Sequence, residues 1–326
     1  MNVDLPPRLK LALEASILEE YAISALKQAA ESVSLRYRQT DRNGTDVQIK
    51  SKVEALSYLA ARMPATFAAN IMVMTEVEKK LVDFLPRTLL DIGAGPGTSS
   101  VAASYLFKTL EQIEMVEPNN YLQSAGRDVL APFLREPVWI AESIENFKPR
   151  QLYDIIVASY VLNEISEEKW KPIIQKFWDS CSGVMMILEP GTPQGAKIIQ
   201  SIRNWAVEKQ VHILAPCPHS HRCPLSDSES GAWCHFAVRT ARSKLHKILK
   251  GGEAGFEDEK FSYIILSRIL SKTEPYRLIG HPSGSKLREM QVCGPKGAET
   301  LQVSKSHPLH KKSKKLEWGD SFDVGY

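Results

Sequence analysis

Two sets of residues in this 326-residue chain have types and spacings that could do chemistry. The first is Asp91-Ile-Gly-Ala-Gly-Pro-Gly97, where Gly93, Gly95 and Gly97, with the small Ala94, let the chain turn tightly and bring backbone N–H groups close to a ligand. An apolar stretch at 89–92 precedes it and a run of small residues from 98 to 106 follows, so it reads as a strand-to-helix turn of the kind that binds nucleotide-like ligands. About twenty residues on, Ile113-Glu-Met-Val-Glu117 reads as a second strand ending in an acid, placed to accept hydrogen bonds from ribose hydroxyls. The second set is cysteines. Cys217, Cys223 and Cys234 are spaced C-x5-C-x10-C, with Cys293 far downstream, and Pro-Cys-Pro-His and Trp-Cys-His-Phe surround them. Clustered thiols in a reducing compartment point to a metal rather than to disulfides, and the flanking prolines favour rigid turns that hold thiolates at fixed angles. The fifth, Cys181, stands alone before an apolar strand and reads as a small buried hydrophobe.

Each set leaves a choice. Dinucleotide sites share the turn-and-acid logic but use GxGxxG, whereas Asp91-Ile-Gly-Ala-Gly-Pro-Gly97 resembles the first motif of class I S-adenosylmethionine (SAM) methyltransferases. That resemblance implies SAM as cofactor. For the cysteines, zinc prefers tighter knuckles, with His219, His221 or His235 able to replace a thiolate, while an iron–sulfur cluster accepts wider spacing. Spacing alone leaves both open.

The elements that must position these residues follow from the apolar patterning. Residues 1–86 read as a helical region, with one amphipathic helix over 46–62 and another starting at Pro64. Residues 87–192 read as a Rossmann-like core. Its further strands are Pro137-Val-Trp-Ile-Ala-Glu142, Tyr153-Asp-Ile-Ile-Val-Ala-Ser159 and Val184-Met-Met-Ile-Leu-Glu-Pro-Gly191. Glu142 or Ser143 could meet the adenine, and Ser159 and Asn163 lie where the fourth strand delivers residues to the ligand. A cysteine-rich insertion with a basic helix is expected over 193–259, the last sheet strands over 260–304 (candidates 260–268 and 287–293), and a basic tail over 305–326. The fold class expected is α/β, a Rossmann-like class I SAM methyltransferase sheet with an N-terminal helical region and a cysteine-rich metal-binding insertion.

Composition sets the outer bounds. With 43% hydrophobic and 24% charged residues the chain has the make-up of an ordinary globule, and no apolar run approaches the ~20 residues of a membrane helix. The start lacks the apolar core of a signal peptide, so a cytoplasmic monomer that does not engage a membrane is expected. The net charge of +3 is unevenly spread: residues 1–200 carry −4 and residues 201–326 carry +7. The carboxyl-terminal part is therefore the side suited to a polyanion.

The conjunction of the glycine motif, Cys217-Pro-His-x3-Cys-Pro, Trp233-Cys-His-Phe236 and Phe256-Glu-Asp-Glu-Lys-Phe-Ser-Tyr263 resembles the methyltransferase-like family of mitochondrial small-ribosomal-subunit proteins, which has bacterial members. The resemblance also takes in Leu35-Arg-Tyr-Arg38 and Trp318-Gly-Asp320. It implies SAM binding, association with small-subunit rRNA in assembly or translation, mitochondrial location in a eukaryote, and a 4Fe–4S cluster. Matched residue by residue, the cluster ligands would be Cys217, Cys223, Cys234 and Cys293, with zinc as the alternative. Arg239, Arg242, Lys244, Lys247 and Lys250, together with Lys311, Lys312, Lys314 and Lys315, are expected to form a basic RNA-binding face ordered by that cluster.

Whether the chain transfers a methyl group is a separate matter. Ser159-Tyr-Val-Leu-Asn-Glu164 departs from the Asn/Asp-Pro-Pro-aromatic motif common in base N-methyltransferases, and no cysteine nucleophile stands nearby for cytosine C5 chemistry. Asn163 and Glu164 could polarise an acceptor or cap the next helix. No catalytic residue is assigned. Three readings follow: an rRNA methyltransferase, a SAM-binding assembly factor without turnover, and a zinc-containing small-molecule methyltransferase.

Overall fold

Helices that bury one face prepare the site before the sheet begins. The computed structural model describes residues 2–39, 49–226, 232–271 and 274–324. Its first three helices are α1 (Pro7–Glu20), α2 (Ile23–Gln39) and α3 (Lys52–Lys80). Ser51 caps α3 by accepting from the Glu54 N–H, and Glu54 lies in the first turn, where the helix dipole favours an acid. A helix boundary was expected at Pro64. Instead α3 runs unbroken through it. A mid-helix proline costs about 3 kcal/mol, but Met63, Phe67 and Met74 are fully buried around it, each contributing roughly 1.5–3 kcal/mol. Packing therefore outweighs the local defect. Residues 46–48 of the expected helix lie outside the described residues, as do the side chain of Arg38 and residues 227–231, 325 and 326 of the expected insertion and tail.

The sheet follows from five apolar stretches: β1 (Thr88–Ile92), β2 (Gln112–Val116), β3 (Val138–Ile140), β4 (Tyr153–Ser159) and β5 (Cys181–Pro190). Helices α4 (Thr98–Leu106), α5 (Asn120–Leu130), α6 (Glu167–Asp179) and α7 (Pro193–Glu208) accompany them. All five strands pair in parallel. Alternate residues of each central strand enter opposite cores. Ile155 and Val157 face the side of α3 and α4, while Ile156 and Ala158 face α6 and α7.

The sheet then turns antiparallel. After β6 (His212–Ala215), β7 (Phe236–Ala241) and the short α8 (Lys244–Lys250), the long β8 (Phe256–Ser267) inserts between β5 and β6, giving the order β3-β2-β1-β4-β5-β8-β6, with β7 paired to β8. Every pairing of β8 is antiparallel. The Rossmann-like α/β expectation stands as a mixed sheet.

Three expectations about the last third are corrected. The stretch 287–293 does not complete this sheet. It forms β10 (Arg288–Gly294) of a second, four-stranded antiparallel sheet with β9 (Tyr276–Leu278), β11 (Gly297–Val303) and β12 (Ser321–Phe322). The reason is patterning: Met290 and Val292 are buried but Glu289 and Gln291 are exposed, which suits a one-sided sheet and not a central strand. Nor is 305–326 a loose basic tail, because Leu309, Leu316 and Phe322 enter the core of that second sheet and α9 (His310–Ser313) lies among them. Finally, Arg239 and Arg242 are not on a helix. Arg239 is on β7 and forms two hydrogen bonds to Asp258, at 2.7 and 2.8 Å, while Arg242 and Lys250 both pair with Glu257. Three of the nine residues of the expected basic face are thus paired internally.

Candidate functional site

The carboxyl ends of β1, β2 and β4 open on a cavity of about 640 Å3. Of the residues expected to bind the cofactor, Gly93, Ala94, Gly95, Glu117, Ser143 and Ser159 line it. The turn needs glycine for steric reasons: Gly93 has φ +68°, and a Cβ there would lie 2.2 Å from Val161 Cγ2. Gly95 donates its N–H to Glu117 Oε2 at 2.9 Å, and Asn119 donates its N–H to Oε1 at 2.8 Å. Burial raises the Glu117 carboxyl above its ordinary range, against these two backbone bonds. Asn119 also caps α5, taking the Tyr121 and Leu122 amides on its side chain. Ser159 accepts from Asn70 of α3 at 3.0 Å, which ties the helical region to the end of β4.

Four expected residues do not line the cavity. Asp91 is only 1% exposed and points into the fold, where its Oδ2 accepts from the Ser100 N–H and hydroxyl at 3.1 and 2.7 Å. It staples β1 to α4. Burial pushes its pKa up to about 7, against the Ser100 bonds. Gly97 (φ +89°) serves as the start of α4. Asn163 donates its side-chain amide to Glu189 at 2.8 Å, and the same buried carboxyl takes the Leu162 N–H. Glu142 is half-buried beside the cavity, whose wall is made by Ser143 and Ile144.

Residues not singled out as cofactor contacts complete the wall. Tyr58 and Arg62 reach it from α3. Tyr160, in the left-handed region at φ +61°, directs its hydroxyl to Glu259 at 3.0 Å, and Arg62 reaches the same oxygen at 3.1 Å. Glu164 presents its carboxyl to the cavity, where burial and then the charge of Glu117 push its pKa up to about 7. Only Glu164 carried a signal in sequence, as the acid just after a strand end. The acid that holds the turn, Glu117, and a second acid, Glu164, can hold a ligand that bears both hydroxyls and positive charge.

The cysteines form the second centre. Cys217, Cys223, Cys234 and Cys293 all line one cavity of about 260 Å3, although they come from the loop after β6, the approach to β7 and β10. Cys181 lies elsewhere, buried at the start of β5. Burial pushes the Cys217 thiol up, the Cys293 thiol to about 12 and the Cys234 thiol well above its usual range, with neighbouring cysteines adding to all three. Such thiols ionise once a metal binds them. Among the described residues, no group of three or more His, Cys, Asp or Glu side chains is arranged to hold a metal ion. The four cysteines expected as ligands thus line a common space without forming a coordination sphere. His219 Nε2 approaches Cys293 Sγ at 3.5 Å, and the His219 and His221 rings stack.

Among the described residues no helix is long and apolar enough to cross a membrane.

Comparison with known proteins gives a family. Residues 52–323 match the family model described as mitochondrial small ribosomal subunit Rsm22. A mitochondrial Rsm22-cox11 tandem protein of Schizosaccharomyces pombe is 25% identical over 264 residues, which cover 72% of this chain and 34% of that protein. The human mitochondrial ribosome assembly protein METTL17 is 25% identical over 299 residues, covering 83% of this chain and 62% of that one. The chain thus spans less than two thirds of either relative's length. A solved magnesium protoporphyrin IX methyltransferase of Synechocystis PCC 6803, with bound SAM, is 11% identical with a TM-score of 0.40, over 76% of this chain and 97% of that one.

Proposed function

The chain belongs to the Rsm22 family of the mitochondrial small ribosomal subunit, and from that membership we propose that it is a SAM-binding, methyltransferase-like protein working with small-subunit rRNA in ribosome assembly or translation. The observation that carries the cofactor is the pairing of Glu117 with the Gly95 amide at the mouth of the parallel strands. Glu117 would take the ribose hydroxyls and Ser143 with Ile144 the adenine, while the glycine turn, whose own amides bond to Val116, Glu117 and Ala94, would leave room for the amino-acid end. Bound there, SAM supplies an electrophilic methyl group. Glu164 offers a carboxylate to positive charge in the same cavity, and Tyr160 and Arg62 fix the wall opposite through Glu259.

The four cysteines fit a 4Fe–4S cluster better than a single zinc ion. All four line one cavity although they are widely and discontinuously spaced in sequence, which a cluster accepts and a single zinc ion, with its tighter knuckles, does not favour. Cys217, Cys223, Cys234 and Cys293 would hold the cluster, which would supply iron–thiolate bonds joining the long excursion to β10. The zinc-containing small-molecule methyltransferase is accordingly the weakest reading.

A second reading, a SAM-binding assembly factor without turnover, is favoured by one contact. Asn163, the residue best placed in sequence to polarise an acceptor, spends its amide on Glu189. The human relative's name, a ribosome assembly protein, is consistent with that role. In a eukaryotic cell the site of action would be the mitochondrion and in a bacterium the cytoplasm, with the chain acting as a monomer.

Calorimetric titration with SAM, followed by filter binding to small-subunit rRNA, tests the proposal. Saturable binding of both is expected. A folded protein that takes up no SAM at millimolar concentration would overturn the cofactor reading, and one that prefers no rRNA over an unrelated RNA would overturn the partner.

A further inference from the structure

We propose that Arg203 is the counter-charge and positioning residue of an anionic thiolate centre in the cysteine cavity. The inference rests on the cluster reading above and deepens it. Arg203 lies on α7, is 3% exposed and lines the cavity with all four cysteines. Its Nε donates to Cys217 Sγ at 3.2 Å. Its Nη2 donates to the carbonyls of His219 and His221, at 3.1 and 2.5 Å. Its Nη1 is buried with no hydrogen-bond partner.

The charge around Arg203 is unbalanced. Two other cations line the cavity, and each has an acid of its own: Arg277 pairs with Glu76 at 2.6 Å and Lys197 with Glu167 at 2.6 Å. Arg203 has no such partner among the described residues, and among them no carboxylate lines the cavity. A guanidinium cannot shed its charge by losing a proton, and a buried charge without a counter-charge is strongly unfavourable. The negative charge must therefore come from the thiols. Neutral thiols do not provide it, whereas four metal-bound thiolates around an iron–sulfur core leave the centre net anionic.

The same contacts explain the positioning role. His219 and His221 lie between Cys217 and Cys223, so the guanidinium fork grips the loop that carries two of the four thiols. An N–H bond to a ligand sulfur and a nearby positive charge both favour the reduced form of a cluster.

The test uses the full chain purified without oxygen, as wild type, Arg203→Gln and Arg203→Lys. Iron and acid-labile sulfide are measured, and the midpoint potential is followed by electron paramagnetic resonance during titration with dithionite as the electron donor. At the wild-type midpoint, the reduced-to-oxidised ratio of R203Q should fall at least about tenfold, ~59 mV for one electron, with R203K keeping most of the wild-type potential. Wild-type protein without iron and sulfide would remove the cluster reading and this inference together. A loaded R203Q with an unchanged midpoint would overturn the inference and leave the cluster standing. If R203Q is recovered only unfolded, R203K decides: a loaded cluster near the wild-type midpoint supports the counter-charge, and a midpoint lower by ~59 mV or more overturns it.

Discussion

The Glu117 carboxylate holds the Gly95 amide at 2.9 Å, so one acid at the end of β2 shapes the glycine turn that follows β1. Its other oxygen holds Asn119, whose side chain starts α5. The ligand-facing edge of the sheet therefore depends on a group that is itself expected to bind. Replacing Glu117 with Gln keeps the shape and removes the charge. Hydrogen bonds to a charged group are worth about 1.5–3 kcal/mol, so SAM affinity should fall roughly 10- to 100-fold with the fold retained. Calorimetry with SAM alongside a thermal melt checks this, and an unchanged affinity would take the ribose away from Glu117.

Gly93 is the steric keystone of the same turn. With φ +68° and Val161 Cγ2 at 2.2 Å from any added Cβ, Gly93→Ala should destabilise the protein by about 1–3 kcal/mol and abolish SAM binding. Adding Val161→Ala clears the clash but leaves the backbone strain, so the double variant should recover part of the stability. Denaturant unfolding of the three proteins measures that coupling.

These two positions were legible in sequence because glycine spacing and a strand-ending acid are local signals. The central strands were legible for the same reason, being apolar on both faces. What sequence hid was long-range. Asp91 belongs to the motif, yet Ser100, nine residues on, claims its carboxyl. Arg62 and Tyr58 reach the cavity from a helix in which their spacing signals only amphipathicity. Strand β6 is four residues long, and β9 and β12 are three and two, too short for any periodicity to register. The basic stretch after Cys234 was read by charge alone, and the acids that neutralise it come from the facing strand β8.

Glu189 makes stability depend on pH. It is fully buried, accepts from Leu162 and Asn163, and burial, partly opposed by those bonds, pushes its pKa up to about 8. The folded protein thus keeps a proton that the unfolded chain has lost. This contribution is fully present below about pH 4.5 and is lost as pH rises through about 8. Glu189→Gln should leave stability near wild type at pH 5 and flatten its fall between pH 6 and 9. Urea midpoints across that range check the sign. A steeper decline in the variant would contradict the assignment.

With Arg239, Arg242 and Lys250 paired internally, the exposed Lys311, Lys314 and Lys315 are the better candidates for phosphate contact. Each phosphate contact contributes about 0.7–0.9 to the slope of log affinity against log salt. Changing all three to Gln should weaken rRNA binding at low salt and reduce that slope by roughly 2 to 3. Binding measured across a salt series decides it. An unchanged slope would move the RNA to another face.

The cysteine centre predicts its own collapse. If a cluster links the loop after β6 to β10, removing one ligand should release iron and loosen both segments, although the glycine turn lies on a different part of the fold. Cys234→Ser is the sharpest choice, because its thiol is the one that feels all three other cysteines. Protein purified without oxygen should carry about four iron and four sulfide per chain as wild type, and a small fraction of that as the variant. SAM affinity should change less than threefold, while protease sensitivity should rise around residues 216–235 and 288–303. One zinc per chain and no sulfide would replace the cluster with a mononuclear site. Loss of SAM binding together with the metal would instead mean that the two centres share one cooperative unit.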